Sequence, residues 1–188
     1  FDKSLLTDFR KINSNLQGHP DMNKVPGVDM SSGSLGQGLS VANGMALNSK
    51  MDESGYRVYC ILGDGELEEG QVWEAFMFAS QYGLDNLVAI IDRNNLQIDG
   101  NVNDVMSLGD LSAKASAFGW DVVSVDGHNI DKLKEVLLEA KEKREGKPKC
   151  IIANTIKGKG VSFMENQAGW HGKAPDDEEL EIALNELA

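Results

Sequence analysis

The sequence predicts an α/β fold with a mainly parallel sheet flanked by helices, on three observations. Four short runs are rich in β-branched and aliphatic residues: Arg57 to Leu62, Leu87 to Asp92, Asp121 to Val125 and Lys149 to Asn154. They are almost continuously apolar instead of alternating, which is the mark of strands covered by helices on both faces. Helical patterns lie between and around them, and strands alternating with helices build a parallel sheet. A length of 188 residues suits a single domain with one substantial core.

The helices are read in order: about Leu35 to Met51, Gln71 to Tyr82, Leu108 to Phe118, and Ile130 to Arg144. The fourth has the clearest stripe, with Leu133, Val136, Leu137 and Ala140 on one side and Lys and Glu elsewhere. The second carries apolar residues on nearly every side, from Val72 to Ala79. Such a helix is sandwiched inside a fold or covered by another chain, and a subunit contact is the favoured reading. The acidic tail from Asp176 to Ala188 places Leu180, Ala183, Leu184 and Leu187 at helical spacing, and Asp176 and Asp177 after Pro175 mark its start. It reads as a surface helix packing by one face. No internal repeat or low-complexity linker interrupts the chain.

Composition narrows the function classes. The formal net charge is −12, which opposes nucleic-acid binding, because displacing counterions from phosphates needs basic surface. A small phosphorylated ligand stays compatible, since one metal ion and a few N–H groups reverse the local field. The chain is 41% hydrophobic and 26% charged, without an apolar run long enough for a bilayer span. Cys60 and Cys150 stand far apart, outside any C-x-x-C or zinc spacing, and read as buried core thiols in a reducing, cytoplasmic setting. No signal peptide is visible. The start at Phe1, without methionine, is expected for a processed, disordered or truncated N-terminus.

The chemistry begins at Gly63-Asp64-Gly65, directly after the first strand and so at the carboxyl edge of the sheet, where open α/β folds bind ligands. Gly65 lets backbone approach a phosphate closely, and the helix starting near Glu69 offers its first amides. By itself this tripeptide is as well explained by an ordinary turn. Asp92-Arg93-Asn94-Asn95 then ends the second strand, with Asn94 thirty residues after Asp64. Two strands thus deliver a carboxylate and an amide oxygen to one edge. These are hard donors suited to Mg²⁺ or Ca²⁺, and diphosphate, water and main-chain oxygens would complete the shell.

G-D-G followed about thirty residues later by N-N resembles the signature of thiamine-diphosphate enzymes. G-S-L-G-Q-G-L-S, G-D-G-E-L-E-E-G-Q-V-W-E-A and D-R-N-N-L-Q-I-D-G resemble the transketolase family in particular, and the likeness runs from Gly18-His19-Pro20 to Trp170-His171-Gly172. The resemblance implies a thiamine-diphosphate-binding fold, with residues 1–188 as a diphosphate-binding domain lacking its first segment. It implies that Asp64, Asn94 and the main-chain carbonyl of Leu96 hold the metal. Gly63, Gly65 and Glu66 would approach the diphosphate by backbone, and Gly33, Ser34 and Leu35 would meet the aminopyrimidine ring. Glu69 matches a carboxylate in a hydrogen-bonded link between two active sites, although an acid at a helix N-terminus also simply satisfies the macrodipole. His19 matches a residue facing the reacting carbon and a substrate hydroxyl; His171 matches one reaching the diphosphate and the cofactor's reactive face.

Other polar residues are read more plainly. Glu66 and Glu68 are expected to have exposed side chains, and His128 is a strand-to-helix turn residue. Lys157-Gly158-Lys159-Gly160 resembles the family's loop that closes over the cofactor. The carboxylate that activates the pyrimidine has no match here, and in the family it comes from a separate pyrimidine-binding domain. The chain would therefore need that domain or subunit, in a homodimer or heterotetramer, to transfer a two-carbon ketol unit between sugar phosphates, and would not turn over alone. Deoxyxylulose-phosphate synthases and dehydrogenase first components share G-D-G…N-N. A non-catalytic, partner-binding module keeping the fold is the reading from a different class.

Overall fold

The computed structural model describes residues 2–142 and 145–188. Its centre is a four-stranded sheet made of β1 (Val58–Gly63), β2 (Leu87–Arg93), β5 (Asp121–Asp126) and β6 (Lys149–Asn154), in the order β1-β2-β6-β5 with every neighbour parallel. The four apolar runs of the sequence are these four strands. Between β2 and β5 lies an unpredicted antiparallel pair, β3 (Leu96–Gln97) and β4 (Gly100–Asn101), followed by the short helix α3 (Val102–Met106). Two-residue strands carry no readable periodicity, so this hairpin leaves little trace in the hydrophobic pattern.

Strand alternation sends the side chains of the sheet to two separate layers. Cys60, Leu62, Leu87, Ala89, Ile91, Cys150 and Ile152 pack with α1 (Gly38–Met51), α2 (Gly70–Gln81) and α4 (Leu111–Ala117). Val88, Val125, Ile151 and Ala153 face the other way, against Val136 and Ala140 of α5 (Ile130–Glu142), with Leu133 and Leu137 alongside. The predicted stripe of α5 is therefore its buried face. The predicted extension of that helix to Arg144 falls on residues 143–144, outside the described residues. Both thiols are buried and free, and burial pushes Cys60 up to about 11 and Cys150 up to about 12, so neither is a ready nucleophile.

Polar ties lock the larger layer. Asn43 of α1 donates to the carbonyl of Ala75 in α2 at 2.9 Å, Asn86 donates to Ala46 at 2.9 Å, and the Trp120 indole donates to Phe76 at 3.0 Å. Phe76 is fully buried, 4.3 Å from Trp120 between ring centroids, and its burial stabilises the fold by about 2–3 kcal/mol. The rest of α2 is divided between core and surface, which leaves uncovered the apolar face that a subunit contact would need. Val72, Ala75, Phe76 and Ala79 are in the core, but Met77 and Phe78 reach solvent. The face of β1 turned away from α1 is also open: Ile61 is 73% exposed at this sheet edge.

Two helices start later than their hydrophobic patterns suggest, for a local reason. Gly36 has φ +79° and Gly109 has φ +62°, left-handed positions that break the helical run, so α1 begins at Gly38 and α4 at Leu111 behind the N-cap Asp110. The tail helix α6 (Asp177–Glu186) starts as predicted, with Asp176 and Glu179 forming a reciprocal capping box. Its predicted stripe is only partly used: Ala183 is buried, whereas Leu180, Leu184 and Leu187 are exposed. Residues 2–37 form turns and one 3-10 segment over Lys3–Asp8, and Val25 and Gly36 alone among them are buried.

Candidate cofactor and metal site

Because the sheet is parallel, the carboxyl ends of β1, β2 and β6 open on the same edge. Gly63 pairs with Asp92 in register, and the Asp64 amide donates to the Asp92 carbonyl at 3.2 Å. The Asp64 side chain, 2% exposed, is held from two sides: Oδ1 accepts from the Gly65 amide at 3.0 Å and Oδ2 from the Asn95 amide at 2.5 Å. Asn95 can aim its N–H there because its backbone is left-handed, φ +61°, a conformation that asparagine tolerates. In the N-N pair, then, Asn95 makes the left-handed turn and bonds Asp64, while Asn94 places its side-chain amide at the strand end. The part played by Asn95 left no signal in the hydrophobic pattern of the sequence.

Asn94 is fixed by its own neighbours. Its Oδ1 accepts from the Leu96 amide at 3.0 Å, and its Nδ2 donates to Asp92 Oδ2 at 3.2 Å. The β3–β4 hairpin, starting at Leu96, folds back so that the Asn95 carbonyl accepts from Val102 at 2.9 Å. Asp64, Asn94 and Leu96 thus lie in one tightly bonded turn system, as delivery from two adjacent strand ends requires.

Electrostatics favour a cation here. Burial pushes the Asp64 carboxyl above its ordinary value, and the charge of Asp92 adds to the push; the two amides only partly oppose it. Among the described residues no Lys or Arg pairs with Asp64. A divalent ion would relieve a carboxylate so placed. Near Gly65, Gln97 Oε1 is buried without a partner among the described residues, an acceptor left for water or ligand. Among the described residues no three His, Cys, Asp or Glu side chains converge on one point, so the protein provides a partial shell and not a full cage. Mg²⁺ held with a phosphorylated ligand fits such a donor set, Ca²⁺ being the alternative hard ion. Thiamine diphosphate fits it through the diphosphate.

Gly65 and Gly33 are required by space. A Cβ on Gly65 would lie 2.9 Å from that of Gln97, and one on Gly33, at φ +135°, would lie 2.7 Å from the His19 ring. His19 and the Gly33-Ser34-Leu35 loop are therefore packed together. The loop borders an open cleft of about 1010 Å³ lined by Gly33, Ser34, Leu35, Tyr59, Cys60 and Glu66.

Glu66 departs from expectation. It is not an exposed loop acid: its side chain is half-buried, with Oε1 accepting from Gly36 at 2.9 Å and Oε2 from Gly63 at 3.0 Å. One carboxylate thus ties the leading loop to the end of β1, because both present glycine amides with no side chain in the way. Glu68 is half-buried as well, and its Oε1 has no partner among the described residues. Glu69 is exposed at the start of α2 and makes no capping bond, which leaves its carboxylate outside the role of a helix cap.

The later residues are less closely joined. His171 is exposed after a 3-10 turn, and no hydrogen bond joins its ring to another site residue among those described. The Lys157–Gly160 segment is a compact turn in which Lys159 pairs with Glu165 at 3.4 Å. It is pinned from two sides: Ser162 is bonded to Glu186 of α6, and the Ile156 amide donates to His128 Nε2 at 2.7 Å. His128 is more than a turn residue, since it anchors the start of this loop.

Comparison with known proteins accords with this geometry. The family model described as "Transketolase, thiamine diphosphate binding domain" matches residues 2–187. The chain is 45% identical over 180 residues to an apulose-4-phosphate transketolase subunit of Phocaeicola vulgatus, covering 95% of this chain and 63% of that protein. It is 45% identical over 187 residues to 6-deoxy-6-sulfo-D-fructose transketolase subunit SqwG of Clostridium sp. (strain MSTE9), covering 100% of this chain and 68% of that protein. Human transketolase is 44% identical over 183 residues, covering 97% of this chain and 29% of its own length. The crystal structure of transketolase from Campylobacter jejuni superposes with a TM-score of 0.91 at 32% identity, covering 97% of this chain and 29% of that one. The chain spans about two thirds of the subunit relatives and under a third of the full-length ones.

Proposed function

We propose a function for this chain from one established premise: it belongs to the thiamine diphosphate binding domain family of transketolases. The chain binds the diphosphate end of thiamine diphosphate through Mg²⁺, with Ca²⁺ a possible substitute, as one component of a transketolase. The single observation that carries this reading is the meeting of Asp64 and Asn94 at adjacent strand ends, with Asp64 buried and, among the described residues, bonded to backbone amides. Asp64, Asn94 and the Leu96 carbonyl hold the metal. Gly63, Gly65 and Glu66 contribute backbone to the diphosphate site, and Gly33, Ser34 and Leu35 contribute backbone to the aminopyrimidine.

When bound, thiamine diphosphate supplies the carbonyl chemistry of two-carbon ketol transfer. The protein's part is orientation and polarity. His19, packed on Gly33, presents an imidazole for hydrogen bonding to a substrate hydroxyl, and His171 brings a second imidazole to the diphosphate side. Glu69 takes part in the link to a second active site, which accounts for a carboxylate at the start of α2 that does not cap the helix.

A partner is integral to this reading. No acid of this chain matches the one that activates the pyrimidine, so a pyrimidine-binding domain or subunit supplies it, in a homodimer or heterotetramer. Subunit names among the relatives and the open apolar faces of α2 and β1 support such an assembly. The substrates are a ketose and an aldose carrying an anionic end group. Phosphate, as in the pentose phosphate pathway of the cytoplasm, is the first choice; the two subunit relatives named for apulose 4-phosphate and a sulfonated fructose set the range to be assayed.

Calorimetric titration of the chain with thiamine diphosphate, with and without Mg²⁺ and with the pyrimidine-binding partner added, tests this. Mg²⁺-dependent binding and ketol transfer only in the presence of the partner are expected. No binding with the partner present would turn the assignment toward a non-catalytic module, and turnover by the chain alone would overturn the division of labour.

A further inference from the structure

Asp92 has no task in the site described above, yet it is bonded to both Asp64 and Asn94. Its carbonyl accepts from the Asp64 amide at 3.2 Å, its Oδ2 accepts from Asn94 Nδ2 at 3.2 Å, and its Oδ1 accepts from the Thr155 hydroxyl. Thr155 follows β6 directly, and its amide donates to the Arg93 carbonyl at 3.1 Å. A third strand end is thereby joined to the two that bear Asp64 and Asn94.

The position is costly, because the charge of Asp92 works against ionisation of the nearby, buried Asp64. Its chemistry indicates what offsets the cost. A side-chain amide has a donor end and an acceptor end of nearly the same shape, and only the oxygen serves a hard cation. A carboxylate only accepts, so Asp92 holds the nitrogen end of Asn94 and turns its oxygen to the side of the Leu96 amide. The Thr155 hydroxyl fixes the carboxylate that does so, as an outer partner orients a metal ligand.

We propose that Asp92, held by Thr155, is a positioning residue that sets the Asn94 amide with its oxygen toward the metal. This rests on the reading of Asp64 and Asn94 as metal ligands. Its test is the Mg²⁺ concentration giving half-maximal thiamine diphosphate binding, measured by calorimetry on the chain with its partner. Thr155→Val should raise that concentration about 10-fold and Asp92→Ala about 10–100-fold, the span usual for outer-shell partners. Thr155→Ser should restore it. Thiamine diphosphate affinity at saturating Mg²⁺ and the melting temperature of the metal-free chain should stay close to the unaltered values in Thr155→Val, which a merely structural role would not allow. An unchanged Mg²⁺ requirement in both Thr155→Val and Asp92→Ala would overturn the inference while leaving the site intact. Absence of Mg²⁺-dependent binding in the unaltered chain would overturn the site reading, and this inference with it.

Discussion

The strand-end half of the candidate site and the half carried by residues 2–37 differ in what holds their polar groups. At the strand ends, Asp64, Asp92, Asn94 and Thr155 are bonded to one another or to neighbouring main chain across three strands, above a buried core. In the leading segment, His19 and Gly33 to Leu35 are exposed, and the Glu66 carboxylate is their bonded tie to the sheet through Gly36. A metal site needs donors fixed before the ion arrives, whereas a loop that meets the cofactor ring can close after binding. The contrast predicts that changes in the first half act on affinity, and changes in the second on order and turnover.

The largest effect should come from Asp64→Ala. It removes the buried carboxylate and should raise the Mg²⁺ requirement for thiamine diphosphate binding by on the order of 100-fold or more, beyond the range usual for outer partners. Circular dichroism should show the fold retained. His19→Ala should break the comparison on its other side. Cofactor affinity should change by less than about 3-fold, while ketol transfer in the enzyme reconstituted with its partner should fall roughly 10-fold, the scale of one lost hydrogen bond to substrate. Equal losses of affinity in both variants would erase the distinction between the halves.

Glu66→Ala should sharpen it. Two hydrogen bonds to a charged acceptor disappear, each worth about 1.5–3 kcal/mol. Limited proteolysis within residues 2–37 should accelerate about 10-fold or more with little change at the strand ends. The smallest effect concerns the loop after β6. The Ser162 hydroxyl and amide hold the Glu186 carboxyl below its ordinary value of 4.5. The stabilisation is therefore fully present above that value and is lost as the pH falls through the lowered one. Hydrogen exchange at Ser162 should quicken on acidification below 4.5, relative to the intrinsic rate, and Glu186→Gln should flatten that dependence.

The strands and α5 were legible because burial demands a continuous apolar run in one case and a 3.6-residue stripe in the other, and both are written locally. Helix starts were misjudged where apolar residues precede the helix, since Leu35 and Leu108 continue the pattern while Gly36 and Gly109 turn the backbone left-handed. The placement of Asp64 and Asn94 at adjacent strand ends was legible from the apolar runs that precede them. Glu66 was not, because its partners Gly36 and Gly63 are backbone amides, 30 and 3 residues away, and backbone leaves no mark on sequence.

By itself the sequence determined the parallel α/β architecture, the strand ends that bear the polar residues, the family to which they belong and the hard-oxygen character of the donors. These follow from local hydrophobic order and residue type. The tertiary structure decided which strands are neighbours, that Asn95 turns while Asn94 is oriented, and that Asp92 meets Thr155 across 63 residues of chain. Those choices depend on strand order and register, which are set by how helices cover the two faces of the sheet, and such packing is a property of the whole fold.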